Sequence, residues 1–364
     1  MTTHSNSRII VYVGTHTNDP AEGIHLFTLD AASGALTPAG KADHVGNPFF
    51  LALDATQRYL YAANAVNETQ GIQGGGVSSF AIDATTGALT ALNTQPAHGV
   101  TPCYVSVTRD RSCVLVANYS TGSLAALPVQ PDGALGAATC TIQHEGSSVD
   151  PRRQDGPHVH SIVLDADDRY AFAADLGTDE VRIYSVDAAG GQLTPNPAQP
   201  YVQVAPGSGP RHIVFPADAQ HAYLINELSN TITVFDYQAA SGMLTETQTI
   251  STLPPDYTGT SYCADIGFHP SGRFLYGTNR GHDSVAVYAI DSSTGKLDLL
   301  ELVPTEGSYP WNLGVDPTGR YLLIANQKDD NVAVFAMDTD TGRLTYTGNK
   351  VEVPRAVCVE MLAL

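Results

Sequence analysis

The sequence is poor in cysteine and in positive charge. Its five cysteines are scattered over 364 residues without a Cys-x-x-Cys pair, so neither a disulfide framework nor a zinc site is indicated. Lysine and arginine number 18 against 37 aspartates and glutamates, which gives a net charge of −19. Nucleic acids and anionic membrane surfaces bind clustered Lys and Arg, so both are poor partners for this chain. An anionic small molecule remains a candidate ligand if the few arginines converge on one place.

Long apolar runs are also missing. No stretch approaches the length that a transmembrane helix needs, and the opening residues MTTHSNSRIIVYVG lack the regions of a signal peptide. We therefore expect a cytoplasmic protein. Hydrophobic residues make up 43% of the chain and charged residues 15%, a balance that is typical of a folded globular protein.

One turn motif recurs seven times at intervals of about fifty residues, which indicates a repeat architecture. Five copies carry an aspartate four residues before the first glycine, and such clusters of Asp, Ser, Thr and Gly are typical of tight turns. The copies are GALT at 34–37, GALT at 87–90, GALG at 133–136, GQLT at 191–194, GMLT at 242–245, GKLD at 295–298 and GRLT at 342–345.

Four short segments with alternating apolar residues accompany each turn motif, and no helical period is present. This pattern predicts an all-β fold, a seven-bladed β-propeller with four antiparallel strands per blade. The chain begins with a strand of the second type (IIVYVGT) and ends with one of the first type (PRAVCVEML). We therefore expect the C-terminal strand to complete the first blade and close the ring. The predicted organisation is a tail over 1–8 and one domain over 9–364, either a monomer or a weak homo-oligomer.

A comparison of the blades locates polar residues at the mouth of the central channel. Where small or apolar side chains would serve the structure, His160, Arg211 and Arg355 stand out. An arginine at such a crowded place is costly unless it is paired, so two of them suggest an anion site. The aligned residues of this first ring are Phe49, Cys103, His160, Arg211, Ala264, Trp311 and Arg355.

A second ring consists of the residues that follow the second strand of each blade. Glu227 and Arg280 break its pattern. They form either a structural ion pair between adjacent blades or, with His160 and Arg211, a polar cluster at the channel mouth, with Trp311 as an apolar wall. The ring reads His16, Ala65, Tyr119, Leu176, Glu227, Arg280 and Gln327.

The loop over 146–158 is longer and more basic than its counterparts, and such loops often carry function. It is expected to close over the mouth, with Arg152 or Arg153 meeting a phosphate or a carboxylate. His158 and His160 lie on one strand face and are a possible metal pair, but no carboxylate neighbour in the sequence completes a ligand set. We predict no metal and no cofactor. Since no Gly-x-Ser-x-Gly motif occurs, a serine nucleophile is not expected.

The motifs PHVH, GPRH, NEL and NRG, at these spacings, resemble the seven-bladed propeller lactonases. That family includes the bacterial propeller-type 6-phosphogluconolactonase and, more distantly, the fungal carboxy-cis,cis-muconate cyclase. The resemblance runs from about residue 9 to the C-terminus, and it implies that His160, Arg211, Glu227 and Arg280 form the catalytic site. The GTHT segment departs from the family, since an aromatic or small residue is expected at the position of His16. This departure leaves the substrate open.

The expected function is hydrolysis of a sugar lactone, an anionic or polyhydroxylated small molecule. The resemblance implies an activity of the 6-phosphogluconolactonase type, in carbohydrate metabolism and the pentose phosphate pathway. Glu227 or His160 would activate a water as general base, while Arg211 and Arg280 would stabilise the oxyanion or bind the substrate anion. Two alternatives remain open, a muconolactone cycloisomerase and a non-catalytic scaffold. The expected substrate-binding residues are His16, Arg153, His158, Trp311 and Arg355.

Overall fold

The computed structural model describes residues 8–17, 19, 22–216 and 219–364. Within these ranges the regular structure consists of strands alone, in seven antiparallel sheets around a central axis and one small hairpin. None of these residues belongs to a helix that would be long and apolar enough to cross a bilayer. The predicted tail falls, but for Arg8, on residues outside the described ranges.

The strands follow the chain blade by blade. Those of the first three blades are β1 (Ile9–Thr15), β2 (Ile24–Leu29), β3 (Leu36–Ala42), β4 (Pro48–Leu53), β5 (Tyr59–Asn64), β6 (Glu68–Thr69), β7 (Ile72–Gln73), β8 (Gly76–Ile82), β9 (Leu89–Pro96), β10 (Pro102–Val107), β11 (Cys113–Asn118), β12 (Ser123–Pro128) and β13 (Cys140–Gln143). Those of the fourth and fifth blades are β14 (Val159–Leu164), β15 (Tyr170–Asp175), β16 (Glu180–Asp187), β17 (Gln192–Pro195), β18 (Tyr201–Gln203), β19 (Pro210–Val214), β20 (His221–Asn226), β21 (Thr231–Gln238) and β22 (Met243–Ser251). The remainder are β23 (Tyr262–Phe268), β24 (Phe274–Arg280), β25 (Ser284–Ile290), β26 (Leu297–Pro304), β27 (Pro310–Val315), β28 (Tyr321–Asn326), β29 (Asn331–Met337), β30 (Leu344–Glu352) and β31 (Ala356–Ala363).

Six of the seven blades run outward from the axis in chain order, as in β10-β11-β12-β13, and the first blade has the C-terminal strand β31 innermost. The hairpin β6-β7 lies on the connection between β5 and β8, and β18 adds a fifth strand to the fourth blade by pairing with β16. The predicted seven-bladed propeller with four-stranded antiparallel blades is confirmed.

The C-terminal strand closes the ring as expected. β31 pairs antiparallel with β1, with Ile9 opposite Ala363, so the first blade has the order β3-β2-β1-β31. β31 also contacts the innermost strands of both neighbouring blades, β27 and β4. The ends of the chain thus meet in one sheet, which removes the open edge of an unclosed stack of blades.

The hydrophobic core lies between neighbouring blades. The second strands β5, β11, β24 and β28 are buried along their whole length, which explains their nearly continuous apolar sequences. One core cluster joins Val11 and Val13 of the first blade to Leu323 and Val334 of the seventh and to Val359 of the closing strand. Burial of each such side chain contributes about 1.5–3 kcal/mol, so the stability of each blade depends on its neighbours.

The recurrent turn motif ties each blade to the one before it. The Tyr12 hydroxyl donates to Gly87 O at 2.8 Å, and Tyr276 donates to Gly342 O at 2.9 Å. Gly342 has a φ of 73°, and a Cβ at this position would lie 2.4 Å from the buried ring of Phe274. The motif therefore needs glycine both for its backbone conformation and for close contact with the preceding blade.

This contact predicts a difference between two glycine substitutions. Gly342→Ala combines backbone strain with a clash against Phe274, whereas the exposed Gly348 also has a positive φ, 81°, but no neighbour within 4 Å. We expect Gly348→Ala to lower the free energy of unfolding by about 1–2 kcal/mol and Gly342→Ala to lower it by about 1–3 kcal/mol more. Denaturant unfolding of both variants measures this difference, and equal losses would show that the turn does not pack tightly.

Candidate active site

A cavity of about 430 Å³ opens at the end of the axis where the innermost strands begin. Residues from the starts of these strands, from the ends of the second strands and from the loop over 146–158 form its walls. The lining residues are His16, Phe49, Thr101, Cys103, Tyr119, Ser120, Arg153, His160, Glu227, Tyr262, Arg280, Tyr309 and Trp311.

Glu227 is the centre of the polar side of this cavity. It follows the last residue of β20, its main-chain N–H donates to Gly209 O at 2.7 Å, and it is only 3% exposed. Its Oε2 atom lies 3.1 Å from Arg211 Nε and 2.6 Å from Arg280 Nη2, and its Oε1 atom lies 2.5 Å from Arg153 Nη2. One carboxylate thus binds three guanidinium groups.

The charges around Glu227 decide its ionisation. Burial raises the pKa of its carboxyl group, but Arg280, Arg211, His160 and Arg153 together outweigh burial and hold the pKa well below its ordinary value. Glu227 is therefore ionised at neutral pH. Three positive charges against one negative charge leave a net charge of +2, in a chain whose own net charge is −19.

Arg211 lies beneath the cavity and not at its surface. This residue of β19 is 1% exposed; it donates to Ala264 O and Glu227, and it is absent from the described residues that line the cavity. Burial, and then the charge of Arg280, lower the pKa of Arg211 to about 10. The position of Arg211 therefore does not support the predicted contact with the substrate. Within the polar cluster, Arg211 contacts Glu227.

Arg280, the last residue of β24, does reach the cavity. Its Nη2 atom donates to Glu227 and, at 2.7 Å, to Cys263 O. Its guanidinium carbon lies 4.6 Å from the centroid of the Trp311 ring and 5.4 Å from that of Tyr309. Its Nε–H is buried and has no hydrogen-bond partner in the described part of the chain, while Arg280 itself is one of the residues that line the cavity.

The loop over 146–158 delivers Arg153 to the same carboxylate. Arg153 Nη2 donates to the Tyr119 hydroxyl at 3.3 Å as well as to Glu227, and its guanidinium lies over the ring of Tyr262 at 5.5 Å. The neighbouring Gln154 is buried and donates to Leu176 O at 2.9 Å, which anchors the loop. Of the two arginines considered, Arg153 lines the cavity, while the side chain of Arg152 is exposed.

His160, the second residue of β14, lines the cavity beside Glu227. Its Nε2 atom lies 3.8 Å from Glu227 Oε2, and its Nδ1 atom lies 3.9 Å from Cys103 Sγ. Burial, and then the charge of Arg211 and the proximity of His212, lower the pKa of His160 well below 6.5. At neutral pH the imidazole is neutral and able to accept a proton.

The opposite wall of the cavity is aromatic. The Phe49 ring packs edge-on against Trp311 at 5.7 Å and against His16 at 5.0 Å. Burial, and then the charge of Arg355, lower the pKa of His16. His16 and Trp311 thus lie where a substrate would contact them, and the cavity is polar on one side and apolar on the other.

Two predicted substrate-binding residues lie elsewhere. His158 Nδ1–H donates to Tyr119 O at 3.1 Å and its ring stacks on Tyr119 at 4.7 Å, so among the described residues it supports the wall and does not line the cavity. Arg355 is exposed at the rim, where its Nε donates to His16 O at 2.9 Å. Its assignment to the first ring is wrong, because β31 begins at Ala356 and the strand register places Val357 at that position.

Sequence comparison did not single out Tyr262, Tyr309 and Thr101, which also line the cavity. Each stands immediately before the innermost-strand residue that pairs with the recurrent Asn. Arg355 occupies the same position before β31. A third ring, read one residue before the innermost-strand residue that ends the ladder with the second strand, would have found these residues and would have placed Arg355 among them.

The cavity does not present a metal-binding cluster. In the ranges that the structure describes, no group of three or more His, Cys, Asp or Glu side chains is arranged to hold a metal ion. The five cysteines are free thiols, and burial raises the pKa of Cys103, in the cavity wall, to about 12. Cys103 is therefore a neutral thiol and a poor nucleophile.

Comparisons with known proteins agree with this architecture. The family model described as "Lactonase, 7-bladed beta-propeller" matches residues 10–361. The chain is 37% identical to a 6-phosphogluconolactonase of Bacillus subtilis, over 98% of this chain and 99% of that protein. It is similar to the solved structure of a periplasmic gluconolactonase of Pseudomonas aeruginosa, with a TM-score of 0.92 and 34% identity, over 98% of this chain and 99% of that one.

The pKa of Glu227 predicts how its contribution to stability depends on pH. Since this pKa is lower in the folded than in the unfolded protein, the contribution is complete above the ordinary value of about 4.3 and declines as the pH falls below it, by about 1.4 kcal/mol for each pH unit. Glu227→Gln leaves three arginines uncompensated, and we expect a loss of about 3–5 kcal/mol at neutral pH.

Urea unfolding of wild type and Glu227→Gln at neutral pH and at about pH 3.5 measures this effect as a shrinking difference between the two proteins. Glu352→Gln, at an exposed position on β30, is the control and should change stability little at either pH. A difference for Glu227→Gln that stays constant with pH would contradict the assignment of the depressed pKa.

Proposed function

The chain belongs to the seven-bladed β-propeller lactonase family, and we propose that it hydrolyses a phosphorylated sugar lactone of the 6-phosphogluconolactone type. As a member of this family it is an enzyme, which sets the scaffold interpretation aside. The observation that carries the proposal is the binding of three arginines to one buried glutamate at the cavity wall. The net positive charge that results favours an anionic substrate and an anionic product.

His160 is the general base in this proposal. Both oxygens of Glu227 are engaged by arginines, so its carboxylate is poorly placed to take a proton from a water molecule. The neutral imidazole of His160 faces the cavity, and its Nε2 atom is 3.8 Å from the carboxylate, too far for a direct hydrogen bond. With the proton on Nδ1, which faces Cys103 Sγ, Nε2 keeps a lone pair for a water molecule.

Arg280 is the oxyanion stabiliser. The water attacks the lactone carbonyl carbon as His160 takes its proton, and the carbonyl oxygen becomes an oxyanion that is stabilised by the positive charge of the Arg280 guanidinium at the cavity wall. The intermediate then collapses, the bond between the carbonyl carbon and the ring oxygen breaks, and His160 returns its proton to that oxygen. The product is a hydroxy acid, whose carboxylic acid loses a proton at neutral pH.

Glu227 and Arg211 have supporting roles in the proposed mechanism. Glu227 fixes the orientation of Arg280 and Arg153, because both guanidinium groups donate to it. Arg211 fixes Glu227 from beneath and, by its charge, helps to keep His160 neutral. Preorganised charges of this kind need no reorganisation during the reaction, which is the main advantage of an enzyme site over water.

The shape of the cavity supports a sugar lactone. Its volume of about 430 Å³ falls within the range of small-molecule sites, and the wall of Trp311 and Phe49 suits the C–H face of a sugar ring. Arg153 is mounted on a loop near the mouth, so we assign the substrate phosphate to Arg153 and the lactone ring to Arg280. With such a substrate, the protein would act in the pentose phosphate pathway.

Two other activities are alternatives to this proposal. The Pseudomonas aeruginosa relative is named a periplasmic gluconolactonase, so an unphosphorylated lactone is the nearest alternative, and the cytoplasmic location remains a prediction. A muconolactone cycloisomerase would need a general acid in the complex. The ionised Glu227 and the neutral His160 do not supply one, which favours hydrolysis.

Two adjacent arginines give a matched test of this proposal. Arg153→Ala removes a cationic donor from the cavity, whereas Arg152→Ala removes an exposed one. A charged hydrogen bond contributes about 1.5–3 kcal/mol, so we expect kcat/KM for 6-phosphoglucono-δ-lactone to fall by about 10- to 100-fold in Arg153→Ala. The fall for glucono-δ-lactone should be smaller, and Arg152→Ala should match wild type on both.

Proton release, corrected for spontaneous hydrolysis, measures these rates. Equal losses on the two lactones in Arg153→Ala would overturn the assignment of the phosphate to Arg153. If the wild-type protein hydrolyses neither of the two lactones, the proposed function is overturned, and activity on muconolactones would then be measured.

A further inference from the structure

One layer beneath the cavity, the innermost strands of three successive blades carry polar side chains that face the axis. They are His212 on β19, Asp265 on β23 and Asn312 on β27, and they are 4%, 6% and 4% exposed. None of them was singled out from the sequence. The equivalent residues of the other four blades are Phe50, Tyr104, Ser161 and Cys358.

These three residues form a chain of hydrogen bonds. Val359 N donates to Asn312 Oδ1 at 2.7 Å, and Asn312 Nδ2 donates to Asp265 Oδ2 at 2.5 Å. Leu313 N donates to the same carboxylate oxygen at 3.1 Å. The other oxygen, Asp265 Oδ1, lies 2.7 Å from His212 Nδ1. This series of hydrogen bonds thus starts at β31, the strand that closes the propeller, and reaches His212.

The series of hydrogen bonds continues from His212 through Arg211 to Glu227. Burial, and then the charge of Arg211, lower the pKa of His212 to about 4, so its imidazole is neutral at neutral pH. Because Asp265 accepts the proton-bearing Nδ1, the Nε2 atom carries a lone pair. Arg211 Nη1 lies 3.3 Å from this Nε2 and donates to it, while Arg211 Nε donates to Glu227.

The orientation of the His212 ring is fixed from the side as well. Tyr104 packs edge-on against it at 5.1 Å, and Phe50 does so at 5.8 Å. A half-turn of the ring would also break the hydrogen bond between Nδ1 and Asp265, so Nε2 stays directed at Arg211. Since apolar or small side chains fill the same layer in four blades, closing the axis does not by itself require His, Asp and Asn in the other three.

We propose that His212, held by Asp265 and Asn312, is a positioning residue that fixes the Arg211 guanidinium beneath Glu227 and His160. Its acceptor atom directs one donor of Arg211, so that the Nε donor meets the carboxylate. This inference rests on the proposed function for its effect on turnover. Its effect on the position of Arg211 is independent of any substrate.

Two substitutions of His212 separate its two hydrogen bonds. The amide of glutamine in His212→Gln reaches the position of Nε2 and presents an oxygen to Arg211. The amide of asparagine in His212→Asn reaches only the position of Nδ1, so it retains a donor to Asp265 but leaves Arg211 without its acceptor. Both variants lack the ring, and they differ in the bond that the inference concerns.

We expect His212→Asn to lower kcat on the order of 100-fold, because a displaced catalytic group can cost that much. His212→Gln should retain kcat within about fivefold, and KM should change by no more than about threefold in either variant, since the cavity lining is untouched. Equal kcat values in the two variants would overturn the inference. His44→Asn, at an exposed histidine, is the control for general effects of the substitution.

A measurement without turnover separates this inference from the proposed function. NMR of selectively labelled histidines gives the pKa of His160, which the charge of Arg211 lowers. We expect a higher pKa for His160 in His212→Asn than in His212→Gln, and equal values would overturn the inference even if wild type opens no lactone.

Asp265→Asn provides a variant that retains the His212 ring. Its amide can accept from His212 only by turning its own donor toward Asn312 Nδ2 and Leu313 N, which are also donors. We expect kcat to fall by about tenfold or more with little change in KM. Wild-type kcat in this variant would overturn the inference, whether or not the His212 variants fold.

Discussion

The burial of one carboxylate among three guanidinium groups is the interaction on which the site depends. Taking Glu227 and Arg211 out of water costs several kcal/mol for each ion, and only close pairing with good geometry offsets that cost. The pairing partners come from separate parts of the chain, since Arg211 lies on β19, Arg280 on β24 and Arg153 on the loop over 146–158. Because buried ion pairs are seldom the best way to stabilise a fold, stability alone does not account for this cluster.

The closed ring holds the three arginines at fixed positions relative to one another. Each blade buries its apolar faces against its neighbours, and the closing strand β31 completes the circle between β27 and β4. The hydrogen bonds from Val359 through Asn312 and Asp265 connect that strand to the layer beneath Glu227. Closure of the fold and orientation of the proposed catalytic groups therefore depend on the same innermost strands.

The propeller fold was predictable because two features of the sequence repeat with each blade. The glycine turn motif sets the period of the blades, and the alternating strands fix the sheet type. Comparison of equivalent positions then exposed His160, Glu227 and Arg280, since polar residues are rare at places that packing would fill with apolar ones. These three residues do line one cavity.

The two errors in the predicted site, the positions of Arg355 and Arg211, have physical causes. Four innermost strands begin with proline, at Pro48, Pro102, Pro210 and Pro310, and the same pattern predicts that the last strand starts at Pro354. That proline instead lies in the preceding turn, which shifts Arg355 to the rim. The depth of Arg211 was not predictable, because the sequence gives a ring position but not whether the side chain points into the cavity or beneath it.

In the proposed mechanism the arginine cluster keeps Glu227 ionised and His160 neutral, so that His160 acts as the base. The pH dependence of kcat/KM for sugar lactone hydrolysis tests this most directly, because it reports the ionisation of the free enzyme. We expect one acid limb, with an apparent pKa well below the ordinary histidine value of about 6.5, and constant activity through neutral pH. An acid limb at or above that value, or the same limb in His160→Asn, would contradict it.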